Sequence, residues 1–365
     1  MTAKKPVKVC FISLNSYPLF AKKSLGYFGG AELQMSLIVK QLLKDKQFAV
    51  SLITGDYGQN RIVKKNRLII FKCFDKQSHR LIELTRLFFW SLKTKQDVFV
   101  SRTANNLLYL LAIYCKLFNK KFVYMVAHDW DCQTDQYNKL TKVNRRLFLW
   151  GLKKADLIIA QTKQQQQALK ENLGLNSILM LSVIPSVKPI NKVKKDLVLW
   201  VGRADYWKRP MAFIKLAHAL PKEKMVMICR KGLDAKLFKR IKTLAEKQKN
   251  IDFLPAVPIE EITHFFARAK IFVNTSTAEG FPNTFLQSGL ARTPILSLTV
   301  NPDNYLTKHH CGFQTQNKND LFIALAQKLL NNPKQLQKMG ENHRHYIIKN
   351  HSLKNIKKIS AALIK

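Results

Sequence analysis

Thr277-Ala-Glu-Gly-Phe-Pro-Asn-Thr-Phe-Leu-Gln287 follows directly on the apolar run Ala269-Lys-Ile-Phe-Val-Asn274. The run reads as a buried strand, and Asn283 to about Ala291 reads as a helix. A strand that turns sharply into a helix leaves the first backbone N–H groups of that helix without intrahelical partners. Those groups carry partial positive charge and suit an anion such as a phosphate. Glu279 stands just before the turn, where it can accept hydrogen bonds from hydroxyls attached to that anion. A polyol ending in a diphosphate, a nucleotide sugar, matches this pairing of acceptor and cradle. The plainer reading is a strand–loop–helix joint in which Gly280 and Pro282 only shape the turn.

Outward from this joint the chain alternates between short apolar runs and longer amphipathic stretches. In the first half, strands are expected at 7–14, 48–54, 67–72, 97–101, 121–127, 156–160 and 178–184. Helices are expected at 31–44, 81–93, 107–118, 140–153 and 163–172. Pro185 to Lys195 then carries two prolines and four lysines without apolar periodicity, and reads as a linker. Beyond it, strands at 197–201, 224–229, 251–254, 269–274 and 294–298 alternate with helices at 209–220, 235–248, 259–268 and 283–291, and two or three further helices finish the chain. Such alternation predicts an α/β protein with parallel sheets and helices on both faces. The expected domains are 1–185, a linker at 186–196, 197–345, and a C-terminal helix over 346–365 that crosses back to the first domain. Two such domains enclose a cleft, and ligands in these sheets bind beyond the carboxyl ends of the strands.

The chain has 365 residues, enough for two domains with good cores. Its 62 Lys+Arg against 23 Asp+Glu give a net charge of +39, which calls for an anionic partner or records a general lysine bias. The cations are spread along the whole length, so they coat folded elements. Six scattered cysteines without C-x-x-C spacing argue against a disulfide framework and a structural zinc site, and for a reducing compartment. The apolar stretch near the N-terminus is too short for a signal peptide. The longest uncharged run, 103–115, is too short for a membrane span. The expectation is a cytoplasmic protein, peripheral at an anionic inner membrane face.

Three more loops fall at expected strand ends. Gly29-Gly30-Ala-Glu32 opens the first helix, with backbone accessible to a ligand. His128-Asp129 follows the strand ending at Ala127, as a structural hydrogen-bonder or as a group facing the ligand. Gly202-Arg203-Ala-Asp-Tyr-Trp-Lys208-Arg209 follows the first strand of the second half. There Arg203 can fork onto a phosphate and Lys208 adds a point charge.

Together these segments resemble retaining GT-B glycosyltransferases of the family 4 type (glycosyl transferases group 1). Glu279-Gly-Phe-Pro-Asn resembles that family's E-G-F-P-N segment, Gly202-Arg203 to Lys208 its G-R-x4-K, Gly29-Gly30-Ala-Glu32 its G-G-A-E, and His128-Asp129 its H-D. The resemblance implies two Rossmann-like doubly wound domains facing a central cleft. It implies a hexosyltransferase-type enzyme that takes a UDP- or GDP-linked sugar as donor, needs neither cofactor nor metal, and uses a saccharide or lipid-linked saccharide as acceptor. It makes Arg203, Lys208, Glu279 and His128 catalytic. It places the donor against Gly29, Gly30, Arg203, Lys208, Glu279, Gly280, Phe281, Pro282, Asn283, Thr284 and Gln287. One departure stands out: Gln287 occupies the position of the family's second acid, which grips both ribose hydroxyls. An amide in place of a carboxylate costs about 1–2 kcal/mol of that contact. Competing classes are a nucleotide-sugar epimerase on the same architecture, a degenerate transferase that only binds, and a basic nucleic-acid-binding protein. Nucleic acid is not the expected partner, because no aromatic-plus-basic RNA motif or zinc finger accompanies the charge.

Overall fold

The computed structural model describes residues 5–21, 28–74, 86, 89–90, 92–93, 95–102, 108–134, 141–186 and 193–364, the side chains of 259 and 260 excepted. The chain divides into two compact units, one of residues 1–183 with 353–365 and one of residues 184–352.

The first unit is built on eight strands, β1 (Val7–Ile12), β2 (Phe48–Gly55), β3 (Ile62–Lys65), β4 (Leu68–Phe74), β5 (Val98–Ser101), β6 (Lys121–Met125), β7 (Leu157–Ala160) and β8 (Ile178–Leu179). They lie in the order β3-β4-β2-β1-β5-β6-β7-β8. Every pairing is parallel except the β3–β4 hairpin. β3 was not expected, since Ile62-Val-Lys-Lys65 is short and largely exposed at the sheet edge. Its helices are α1 (Gly30–Leu42), α2 (Leu108–Leu117), α3 (Lys142–Lys153) and α4 (Lys163–Leu173). The Thr162 hydroxyl caps α4 by accepting from the Gln165 amide, and Gly174 ends it in the left-handed conformation. The helix expected at 81–93 falls largely outside the described residues.

In the second unit β9 (Leu197–Arg203) leads to α5 (Pro210–Ala219), β10 (Met225–Arg230) to α6 (Ala235–Glu246), and β11 (Ile251–Leu254) to α7 (Ile259–Arg268). β12 (Ala269–Asn274) leads to α8 (Asn283–Leu290), and β13 (Ile295–Ser297) to the one-turn α9 (Tyr305–Lys308). β14 (Gly312–Gln314), α10 (Asn319–Leu330) and α11 (Pro333–Asn350) complete it. The strand order β11-β10-β9-β12-β13-β14 is parallel throughout and reverses between β9 and β12. That reversal is the topological switch point, where such sheets open a crevice at their carboxyl ends. Each sheet has a buried apolar cluster on both faces, so its central strands are apolar at successive positions and not at alternate ones.

The unit boundaries differ from the expected domain limits at both ends. Unit two begins at Ile184, and residues 187–192 of the expected linker lie outside the described residues. The linker's last two residues are held in the second unit. Lys195 Nζ donates to the Ala269 carbonyl at 2.9 Å and the Thr293 hydroxyl at 3.0 Å, and Arg268 grips Asp196 through Nε at 3.0 Å and Nη2 at 2.5 Å. Burial brings the Lys195 ammonium down to about 8. At the other end α11 runs unbroken past 345, because Leu336, Met339, His343 and Ile347 bury one continuous stripe in the second unit. The last helix, α12 (Ile356–Ile364), starts later than expected and places Ile356, Ile359 and Leu363 in the core that contains β1 and β2. All six cysteines are buried and free. Among the described residues no helix is long and apolar enough to cross a membrane.

Candidate functional site

The two loops at the second unit's switch point are tied together. The Thr277 amide donates to the Trp207 carbonyl at 2.8 Å. The Thr275 hydroxyl donates to the Lys208 carbonyl at 2.6 Å and accepts from the Trp200 indole at 2.9 Å. These bonds bring the β9 loop, with Arg203 and Lys208, against the β12 loop, with Glu279.

Lys208 Nζ is ion-paired and hydrogen-bonded to Glu279 Oε1, and the same oxygen accepts from the Ser276 hydroxyl at 2.7 Å. The pair is largely but not wholly buried, at 21% exposure for the lysine side chain and 13% for the carboxylate. An ammonium has three donors, so one bond to Glu279 leaves two for a second anion.

Arg203 is the outer cation. Its guanidinium pairs with Asp205 at 2.9 Å and lies 5.7 Å from the centre of the Trp207 ring. Asp205 is almost fully buried at 1%, whereas Arg203 is 43% exposed, so the fork is held from below and presented outward. A Cβ on Gly232 would lie 2.4 Å from Asp205 Oδ1 and 2.5 Å from the Ala204 carbonyl. Only glycine lets the loop after β10 pass that close.

Arg209, the last residue of the Gly202–Arg209 stretch, has a different role. It adopts φ 47° and joins the ends of four strands. Its Nε donates to the Thr275 carbonyl at 2.8 Å, its Nη2 to the Thr299 hydroxyl at 2.7 Å, and its Nη1 to Asn317 Oδ1. We expect Arg209→Lys to keep the charge, lose the planar fork and lower unfolding stability by about 1–2 kcal/mol. Urea denaturation checks this, and an unchanged midpoint rejects the brace.

The helix α8 opens at Pro282 with no side-chain cap, and the amides of Phe285 and Leu286 both turn back to the Pro282 carbonyl. Gly280, Phe281 and Pro282 are buried, and Asn283 and Thr284 are half-buried at the helix start. Phe281 points away from the loop surface. Its ring packs 4.3 Å from His351 and 5.3 Å from Tyr305, so it anchors the turn in the core. Gln287 is half-buried one turn further on, and its side chain makes no hydrogen bond among the described residues.

The remaining candidates belong to the first unit. Gly29 is the N-cap of α1, and its amide donates to Glu32 Oε2 at 2.9 Å, so this donor is already taken. Gly30 is exposed at the helix start. His128 follows β6, where its Nδ1 accepts from the Trp130 amide at 3.3 Å and its ring lies 4.2 Å from the indole. That bond makes Nδ1 an acceptor and leaves the ring proton on Nε2. Beneath it Asp131 accepts from the Tyr124 hydroxyl and the Ala127 and His128 amides, while burial pushes its carboxyl up.

Sequence reading missed Asp205, Ser276 and the buried Arg102. Arg102 stands at the end of β5, donates to Gln161 Oε1 at 3.1 Å, and is brought down to about 10 by burial. Asp205, two residues after Arg203, carried the one legible signal: a carboxylate beside a cation in the same loop.

Residues 185–346 match the model of the family Glycosyl transferases group 1. No curated protein sequence gives a significant match. Among solved structures, the chain is similar to the sucrose-phosphate synthase of Thermosynechococcus elongatus, at TM-score 0.80 and 13% identity over 98% of both chains. It is similar to the E. coli trehalose-6-phosphate protein bound with UDP-2-fluoro glucose, at TM-score 0.71 and 13% identity over 98% of both chains. It is also similar to WaaG, a glycosyltransferase involved in lipopolysaccharide biosynthesis, at TM-score 0.69 and 14% identity over 97% of this chain and 99% of that one. The chain has the GT-B fold, and its segment 185–346 is similar to the glycosyl transferases group 1.

Proposed function

We propose that the protein is a retaining glycosyltransferase that moves a sugar from a UDP- or GDP-linked donor to a saccharide or lipid-linked saccharide, at the cytoplasmic face of an anionic membrane. The observation that carries this reading is the meeting of Arg203, Lys208 and Glu279 beside the uncapped start of α8, at the switch point of the second sheet. Two cations and a helix N-terminus suit a diphosphate, and the carboxylate beside them suits sugar hydroxyls. The UDP-sugar named for the E. coli relative is in keeping with such a donor.

In this reading the bond from the anomeric carbon to the diphosphate breaks as negative charge grows on the leaving oxygens. Arg203, the two remaining donors of Lys208 and the amides at Asn283–Thr284 stabilise that charge where it develops, which is electrostatic catalysis. Glu279 holds the transferred sugar and does not attack it. The acceptor hydroxyl enters on the face the diphosphate leaves and passes its proton to the departing phosphate oxygen, so configuration is retained. Gly280, Phe281 and Pro282 shape the turn around the donor.

Thermal shift with a panel of UDP-, GDP- and ADP-sugars tests the reading. One nucleotide class should raise the melting temperature, and Arg203→Ala should remove that rise. A panel without any shift rejects the proposal. Gln287 gives a second test. Gln287→Glu should leave turnover equal and lower the donor KM by about ten-fold at most, the return of one charged hydrogen bond to ribose. A raised KM means that this position does not face the ribose.

A further inference from the structure

The second and third helices of the first unit lie on the same face of their sheet, with Leu108, Leu111, Phe148 and Leu152 in one buried cluster. They approach so closely that a Cβ on Gly151 would lie 2.9 Å from the Tyr109 Cα. Their outer faces therefore form one surface directed away from the sheet. That surface is not the polar face of an ordinary amphipathic helix. Leu117 is 70% exposed, Val143 66%, Trp150 41% and Ile113 39%, and Phe89, whose neighbour Trp90 belongs to the same buried cluster, is 55% exposed.

The charges between these side chains have one sign. The stretches 108–120 and 142–155 contain seven Lys/Arg and no Asp/Glu. Arg145 is buried and bonds the Trp130 and Thr134 carbonyls. Lys116, Lys120, Lys142, Arg146, Lys153 and Lys154 remain at the surface, and none of them forms an ion pair among the described residues. Lys154 Nζ lies 5.9 Å from the Trp150 ring centre.

Large apolar side chains left in water at helical spacing are a cost unless something covers them. From this combination we infer that the α2–α3 face is a docking surface for an anionic lipid bilayer. Val143, Trp150, Ile113 and Leu117 enter the headgroup–acyl boundary, while the lysines extend their stems along the apolar surface and keep their ammonium groups at the phosphates. A nucleic acid would meet the cations but gain little from the aliphatic side chains between them. A second copy of this chain would oppose like charges. A bilayer satisfies both halves of the pattern. This deepens the membrane part of the proposed function and does not depend on the donor site.

Vesicle flotation with the full-length protein tests it, in the absence of any nucleotide. Vesicles containing about a third anionic phospholipid should float the protein at low salt, and neutral phosphatidylcholine vesicles should not. Val143→Ser/Trp150→Ser and Lys153→Glu/Lys154→Glu should each weaken partition about ten-fold, because both the apolar and the electrostatic contributions are required. Leu233→Ser, at a 79% exposed leucine of the second unit, should leave partition unchanged. All substituted side chains are exposed, so unchanged melting curves and unchanged nucleotide-sugar thermal shifts separate this result from misfolding or donor-site failure. Undiminished flotation of both paired variants overturns the inference, because diffuse net charge would then suffice. Absence of flotation, preferential binding of an oligonucleotide, or self-association lost in those variants overturns it as well.

Discussion

Lys208→Ala and Glu279→Ala should each slow sugar transfer by about a hundred-fold or more, the scale of losing one preorganised charge from a site where charge develops. The two side chains share one hydrogen bond, so neither change is local. Without Lys208 the leaving diphosphate loses a cation, and Glu279 loses its ion-pair partner while the Ser276 hydroxyl still donates to it. Without Glu279 the ammonium loses the oxygen that orients it, and the sugar loses its acceptor. The kinetic split distinguishes the roles. Lys208→Ala should fall mainly in kcat, since its interaction strengthens as the bond breaks. Glu279→Ala should lower kcat and raise the donor KM together. Because the pair acts as a unit, the double variant should be scarcely slower than the worse single one. Steady-state rates with the donor identified by thermal shift, alongside melting curves for each variant, check this. Turnover at the parent rate in both single variants removes the site assignment.

The fold was legible because alternation survives at low resolution. Runs such as Leu197-Val-Leu-Trp-Val201 and Ile271-Phe-Val273 are apolar at every position, which a strand covered on both faces requires. Where elements are short or half-wet, that signal fails: β3 is mostly exposed, and β14 is three residues opened by Gly312. The roles of polar residues depended on strand order, which no local window contains. Arg209 and Lys208 are neighbours in a chain of many cations. Only the adjacency of β9 and β12, and of β13 and β14 beyond them, sends Arg209 across to Thr275, Thr299 and Asn317 while Lys208 meets Glu279. Asp205 showed in the sequence only as a carboxylate near a cation, since burial and not identity makes it the support of Arg203. Phe281 and Pro282 were readable as turn residues. That Phe281 is an anchor required the position of His351, which follows α11 in the chain.

That anchor gives the second large expectation, a pH dependence of stability centred on His343. The imidazole is fully buried, with Nδ1 2.8 Å from the Thr293 carbonyl and Nε2 3.2 Å from the Tyr305 hydroxyl. A carbonyl only accepts, so Nδ1 carries the proton, and Nε2 accepts from Tyr305. The ring is thereby neutral and bonded at both nitrogens, and burial brings its pKa down from 6.5 to about 4. The unfolded chain binds this proton near the ordinary value and the folded chain does not. The contribution is therefore present in full above the unfolded value and is lost as pH falls through the folded one. Between pH 7 and pH 4 this amounts to about 3 kcal/mol, superimposed on the general carboxylate titration. Tyr305 packs on Phe281 and Phe285, so protonating His343 loosens the support of the donor turn as well as the core. His343→Asn can retain a donor to Thr293 but has no group that titrates. It should cost about 1–2 kcal/mol at neutral pH through the lost Tyr305 bond. In exchange, its urea midpoint should fall less steeply than the parent's between pH 6.5 and 4. Parallel slopes in the two proteins would mean that this imidazole does not govern the acid limb, and that burial lowers its affinity for protons far less than the geometry requires.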